Sequence, residues 1–187
     1  MQIEAEIKSF ISKEKFEELL RFFKKNAEYV KEDYQETYYF DSKNAKRDLR
    51  IQKNDYFSKI ILKTGDYHDE CREELEVQCD KNDFEKIEKL FLDLGYQIEI
   101  KWFRKRFDFR WNDINVELGN TKAYGYIIEL EKICPEEEKE EIISMLKSKL
   151  KELNVDLTSK EEFTEKFSYY RKNWQELTKV NNVDNQF

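Results

Sequence analysis

Proline occurs once and glycine four times in the 187 residues of this chain, so little in it can break or sharply turn a regular element. Four glycines, none of them in a GxxxxGK arrangement, exclude a Gly-rich phosphate loop. Histidine is as rare as proline. The single one, His68, sits in the turn-like stretch Gly65-Asp66-Tyr67-His68-Asp69 and reads as a solvated loop residue, which leaves nucleophile–base triads little to stand on. The three cysteines, Cys71, Cys79 and Cys134, are odd in number and match no zinc spacing; they are expected to be reduced thiols. No apolar run is long enough to span a bilayer and no signal-like segment stands out, so the expected setting is cytoplasmic, away from membranes.

Charge is what the chain has in abundance. Lys and Arg number 34 and Asp and Glu 41, giving a net charge of −7. A general nucleic-acid surface is not expected from that balance, and any polyanion must be met by locally concentrated basic residues. The length suits one domain over residues 1–178, with a flexible tail at 179–187 that carries no period, in a monomer or homodimer.

The charges are not scattered. Ile3-Glu4-Ala5-Glu6-Ile7-Lys8 alternates apolar and charged, which on a strand sends Glu4, Glu6 and Lys8 to one face and the apolar residues to the other. The same design recurs around Arg50 and Gln52, Lys59 and Lys63, Arg72-Glu74-Glu76, Arg104 and Arg106, and Glu129 and Glu131. Acids and bases also segregate by strand. The carboxylate pairs Glu4/Glu6 and Glu129/Glu131 suit Mg²⁺ or Mn²⁺, while Arg50, Lys63, Arg104 and Arg106 suit phosphate oxygens. A barrel lined this way would hold a polyphosphate and its metal.

These segments, in this order, resemble the CYTH superfamily, the triphosphate tunnel metalloenzymes that include class IV adenylate cyclases and thiamine or inorganic triphosphatases. Glu4-x-Glu6-x-Lys8 resembles the superfamily's N-terminal ExExK strand. Tyr38-Tyr39-Phe40-Asp41, Leu49-Arg50-Ile51-Gln52, Ile61-Leu62-Lys63 and Arg72-Glu73-Glu74-Leu75-Glu76 resemble the successive middle strands. Arg104-x-Arg106-x-x-Phe109 and Tyr124-Gly125-Tyr126 leading to Glu129-x-Glu131 resemble the late ones, so the likeness covers about residues 1 to 132.

The resemblance implies an α+β fold, a closed antiparallel β-barrel of about eight strands with helices packed outside. It implies a metal-dependent triphosphatase acting on tripolyphosphate, thiamine triphosphate or a nucleoside triphosphate. Two alternatives stay open: an adenylate cyclase making cyclic AMP from ATP, and a non-catalytic sensor of triphosphorylated ligands or RNA 5′ ends. Glu4, Glu6, Glu129 and Glu131, with Glu117, would hold Mg²⁺ or Mn²⁺. Lys8, Arg50, Lys63, Arg72, Arg104 and Arg106 would form the catalytic cradle, and Gln52, Lys59, Glu74 and Glu76 would join it in binding the small-molecule triphosphate. Three departures stand out. Gln52 replaces the second arginine of an Arg-x-Arg strand, Leu118-Gly119 stands where the superfamily has Leu-Asp, and Arg104 replaces a lysine. Glu117, on the same strand face as Gly119, is the candidate substitute for the missing aspartate.

Between the strands, Ser12 opens a helix with Phe16, Leu19, Leu20 and Phe23 on one face. Strands are expected near 34–41, 47–53, 57–64, 71–79, 96–111, 114–118 and 124–132. Asp80 caps a helix closed by Gly95, Pro135 opens another through Leu153, and Ser159 with Glu162 caps a last one reaching Leu177. Trp102 shares the strand parity of Arg104 and Arg106, where an aromatic ring either packs or stacks on a ligand ring.

Overall fold

The computed structural model describes residues 2–42, 47–65 and 73–179, with side chains given from residue 3 onward and, after the second gap, from 74. Arg72, His68 and Cys71 lie outside the described residues, as do most of the Gly65–Asp69 loop and residues 180–187. Among the described residues the fold is α+β: eight strands in one antiparallel sheet, with four α-helices. In chain order these are β1 (Gln2–Ile11), α1 (Lys13–Asn26), β2 (Glu28–Phe40), β3 (Arg47–Lys53), β4 (Ser58–Thr64), β5 (Glu73–Cys79), α2 (Phe84–Asp93), β6 (Ile98–Trp111), β7 (Ile114–Thr121), β8 (Gly125–Pro135), α3 (Lys139–Glu152) and α4 (Lys160–Lys179). The strand order is β1-β8-β7-β6-β2-β3-β4-β5. The chain divides into two compact units, one of residues 1–32 and 106–167 and the other of 33–105 and 168–187.

In the first unit the pleat does the sorting. β1 pairs with β8 so that Ile3 faces Cys134 and Ile7 faces Leu130, and β8 pairs with β7 so that Leu130 faces Val116. Ile3, Ala5, Ile7, Val116, Leu118, Ile128 and Leu130 are all buried in one cluster with Phe16, Leu19 and Phe23 of α1 and Ile142, Leu146 and Leu150 of α3. Ser12 caps α1 as its sequence predicts, its Oγ accepting from the Lys15 N–H at 3.1 Å, while Glu14 and Lys24/Lys25 suit the two ends of the helix dipole.

In the second unit, β3, β4 and β5 form antiparallel pairs in which Ile51 faces Ile60 and Leu49 faces Leu62. The apolar side carries Tyr38, Phe40 and Ile51 against Phe84 and Ile87 of α2. Asp80 caps a short 3-10 turn before α2, accepting from the Asn82 N–H at 2.9 Å, and Gly95 closes the helix with φ at 90°, a left-handed value that glycine tolerates. In the same unit the C-terminal half of α4 is tied down by Tyr170, whose hydroxyl donates to the Lys101 carbonyl at 3.0 Å, and by Trp174, whose indole N–H donates to the Glu99 carbonyl at 2.8 Å.

Several boundaries differ from the sequence expectation. β2 starts at Glu28, well before residue 34, because Glu28–Glu32 is mostly exposed and its two apolar residues, Tyr29 and Val30, are adjacent and fall on opposite faces, so no alternating apolar face announces a strand. β7 runs on through Gly119 to Thr121, and β8 runs to Pro135. Pro135 therefore ends a strand and caps a 3-10 turn at Glu136–Glu138, and α3 begins only at Lys139. The last helix runs through Lys179. Among the described residues, no helix is long and apolar enough to cross a membrane.

Leu19 is 2% exposed in the α1 interface. Truncating it by Leu19→Ala is expected to cost about 2–5 kcal/mol through lost burial and the cavity left behind. Urea denaturation followed by far-UV circular dichroism reads that loss directly; a midpoint equal to that of the parent would contradict this packing.

Candidate functional site

The face opposite the core of the first unit collects the predicted acids. The register that buries Ile3, Ala5 and Ile7 sets Glu6 opposite Glu131 and Lys8 opposite Glu129, and β7 adds Asn115 opposite Glu131 and Glu117 opposite Glu129. Like charges on neighbouring strands raise the cost of ionisation. The Glu129 carboxylate, helped by burial, raises the Glu6 carboxyl above its ordinary value, and the Lys8 ammonium, 3.5 Å from Glu6 Oε1, only partly opposes this. Burial, with the Glu4 carboxyl in hydrogen-bonding reach, pushes Glu131 up to about 7 despite the Asn115 amide donating to it at 3.0 Å.

Glu117 is different. Arg106 Nη1 lies 2.7 Å from its Oε2, and Arg106 Nε donates to Asp108 at 2.6 Å, so Glu117 and Asp108 serve as counterions to one guanidinium. The predicted acids are thus two interacting pairs, Glu6 with Glu129 and Glu4 with Glu131, plus an arginine-bound Glu117. Among the described residues, no three His, Cys, Asp or Glu side chains converge into a ready-made metal cage. In donor chemistry the pairs nevertheless fit a hard divalent cation. They offer only carboxylate oxygens, and the raised proton affinity of Glu6 and Glu131 is what a bound cation would relieve by taking the proton's place.

The second unit holds the middle-strand cations. Arg50 and Gln52 share one face of β3, set against Lys59, Ile61 and Lys63 of β4 and then Glu74, Glu76 and Gln78 of β5. The cations there are ion-paired: Lys63 with Glu74 at 2.5 Å, Lys59 with Glu76, and Arg50 with Asp48. Burial works to raise Glu74, but hydrogen bonding shared with Glu76 and donated by the Lys63 ammonium outweighs it and holds the carboxyl below its ordinary value. Gln52 donates to Thr37 Oγ1 at 3.0 Å, a neutral bond where a second guanidinium would stand. Trp102 meets Tyr170 edge-on at 5.1 Å and Tyr39 at 6.3 Å between ring centres, so its ring is engaged in aromatic packing.

Asp48, Asp108 and Asn115 are partners of the site that the sequence motifs do not mark. Each lies two positions from a marked one, or beside one across a strand pair, and strand parity was the signal that could have found them.

No family profile matches the chain. A relative in Methanocaldococcus jannaschii named "Putative adenylate cyclase" is 32% identical over 163 residues, covering 82% of this chain and 90% of its own length. A conserved hypothetical protein of Pyrococcus furiosus has a similar structure, with a TM-score of 0.66, 28% identity and coverage of 82% of this chain and 91% of its own. A structure from Vibrio parahaemolyticus, also titled a putative adenylate cyclase, shares the fold alone, with a TM-score of 0.65 at 14% identity over 88% of this chain and 98% of its own. The eight-stranded fold and the ordered strand segments define the class, and the relatedness to the archaeal protein places the chain in it. The chain belongs to the CYTH, or triphosphate tunnel, superfamily.

The Glu131 carboxyl makes a testable mark on stability. Because it binds its proton more tightly folded than unfolded, its contribution is complete below the ordinary value of 4.5 and is lost as pH rises to about 7. Glu131→Gln should therefore raise the thermal midpoint in metal-free buffer at pH 8. With the effect discounted to about 1 kcal/mol for partial exposure, the gain is about 2–4 °C. The gap should close as pH falls towards 4.5. Identical midpoints at both pH values would show that Glu131 ionises normally.

Proposed function

We propose that the protein is a metal-dependent hydrolase of a triphosphate group, with inorganic tripolyphosphate, thiamine triphosphate or a nucleoside triphosphate as substrate. The observation that carries this reading is the polar face of the first unit. There, two carboxylate pairs, each with one member of raised proton affinity (Glu6 and Glu131), lie on the same strands as Lys8 and beside Arg106. That composition is what a metal–polyphosphate complex calls for, hard oxygen donors for the cation and fixed cations for phosphate oxygens.

In this reading Glu4, Glu6, Glu129 and Glu131 are the residues that hold Mg²⁺ or Mn²⁺. The ion supplies charge neutralisation on the phosphate oxygens. Lys8 and Arg106 bind non-bridging oxygens and orient the chain, with Glu117 and Asp108 fixing the Arg106 guanidinium. Arg50, Lys59, Lys63 and Arg104 of the second unit are further cations of the kind that bind phosphate, and Arg72 belongs with them by the sequence resemblance. Phosphoryl transfer is driven mainly by positioning and charge compensation, so no covalent nucleophile is required.

The cyclase reading is favoured by the names of the archaeal and Vibrio relatives. It uses the same groups but directs the ribose 3′-hydroxyl at the α-phosphorus. A product panel separates the two. Each candidate triphosphate is incubated with Mg²⁺, Mn²⁺ or EDTA, and orthophosphate, pyrophosphate and cyclic AMP are scored. The hydrolase reading expects orthophosphate or pyrophosphate with metal and loss of turnover in EDTA. Cyclic AMP from ATP would establish the cyclase, and undiminished hydrolysis in excess EDTA would overturn the metal assignment.

A further inference from the structure

On the polar face of β3, Asp48, Arg50 and Gln52 follow one another at strand spacing. Asp48 is a buried acid, 7% exposed. Arg50 grips it with two donors, Nε to Oδ1 at 2.7 Å and Nη2 to Oδ2, the side-by-side fork that guanidinium also uses for phosphate. The guanidinium carbon sits 4.4 Å from the centre of the Tyr39 ring, so the aromatic face holds the group in place independently of Asp48. The neighbouring pairs on β4 differ in one respect. Glu76 and Glu74 are more exposed than Asp48, and water compensates a displaced surface carboxylate far better than a buried one.

We propose that Asp48 is an internal anion that occupies Arg50 until a phosphate displaces it, and that it thereby sets the affinity and selectivity of this position. The inference rests on the polyphosphate reading above. An incoming ligand must present two oxygens side by side and carry more charge than a carboxylate; chloride or a monocarboxylate gains nothing from the exchange. Asp48 is a specificity-determining residue that acts through Arg50, and no covalent step is involved.

The test is calorimetric titration with tripolyphosphate, in metal-free buffer and again with calcium, of the parent, Asp48→Asn, Arg50→Gln and the double variant. Asp48→Ser is a second, smaller replacement that carries the test if the asparagine form fails to fold. Removing the competing carboxylate should tighten binding on the order of tenfold, the scale of one charge-assisted hydrogen bond. In the Arg50→Gln background the same substitution should change nothing. An equal gain in both backgrounds would show that Asp48 acts only as bulk negative charge and would overturn the inference. Unchanged affinity for Asp48→Asn, with the parent still binding tripolyphosphate, would remove Asp48's role and leave the polyphosphate reading standing. No binding by the parent or any folded variant in either buffer would overturn both.

Discussion

The pairing of β1 with β8 is the constraint on which the candidate chemistry depends. Its register is fixed from the apolar side, where Ile3, Ala5, Ile7, Ile128 and Leu130 are buried against α1 and α3. Burial of a large aliphatic side chain is worth about 1.5–3 kcal/mol, and a slip of one residue would turn every one of these groups to the wrong face. Several such residues together outweigh the repulsion between the carboxylates that the same register sets opposite each other. Core packing therefore does electrostatic work. It holds Glu6 near Glu129 and Glu4 near Glu131 in an arrangement those side chains would not choose, and the raised proton affinity of Glu6 and Glu131 is the consequence.

The acids of the polar faces fall into two kinds, although the sequence spells them all alike. Glu74 is held below its ordinary value by its hydrogen-bonding neighbours Glu76 and Lys63, and Glu117 and Asp108 share Arg106; these are counterions. Glu6 and Glu131 are raised because their nearest strong influences are burial and other carboxyls, and these are the groups that gain from a cation. An alternating run of acids and bases in a sequence cannot tell the two kinds apart. The difference lies in which strand lies alongside.

Much of the fold was legible because alternation survives in short strands. β3 and β4 lie within a residue of the expected 47–53 and 57–64, and Ser12, Asp80 and Ser159 announce helix starts through hydrogen bonds that depend only on local chain geometry. The start of β2 was not legible, since its mostly exposed residues belong to the strand through sheet pairing and not through an alternating pattern of their own. Pro135 misled because its fixed φ fits a strand end as well as a first helical turn, and tertiary pairing with Gln2 decided between them. For the candidate site, the acids and cations were readable as a list, and the partners Asp48, Asp108 and Asn115 were not. Partnership is a property of register and rotamer, and the resemblance pointed only to positions that match a motif.

Gln52 and the buried Asp48 act together on the charge of β3. The superfamily pattern implies two arginines on its polar face; here there are one arginine, one buried aspartate bonded to it, and a glutamine bonded to Thr37. The face of β3 is thereby formally neutral where the resemblance implies a charge of +2. Under the polyphosphate reading, a triphosphate bound beside β3 would depend on Lys59 and Lys63 of β4, and each of those is itself held by a glutamate of β5, so an anion binding there must compete with carboxylates already in place.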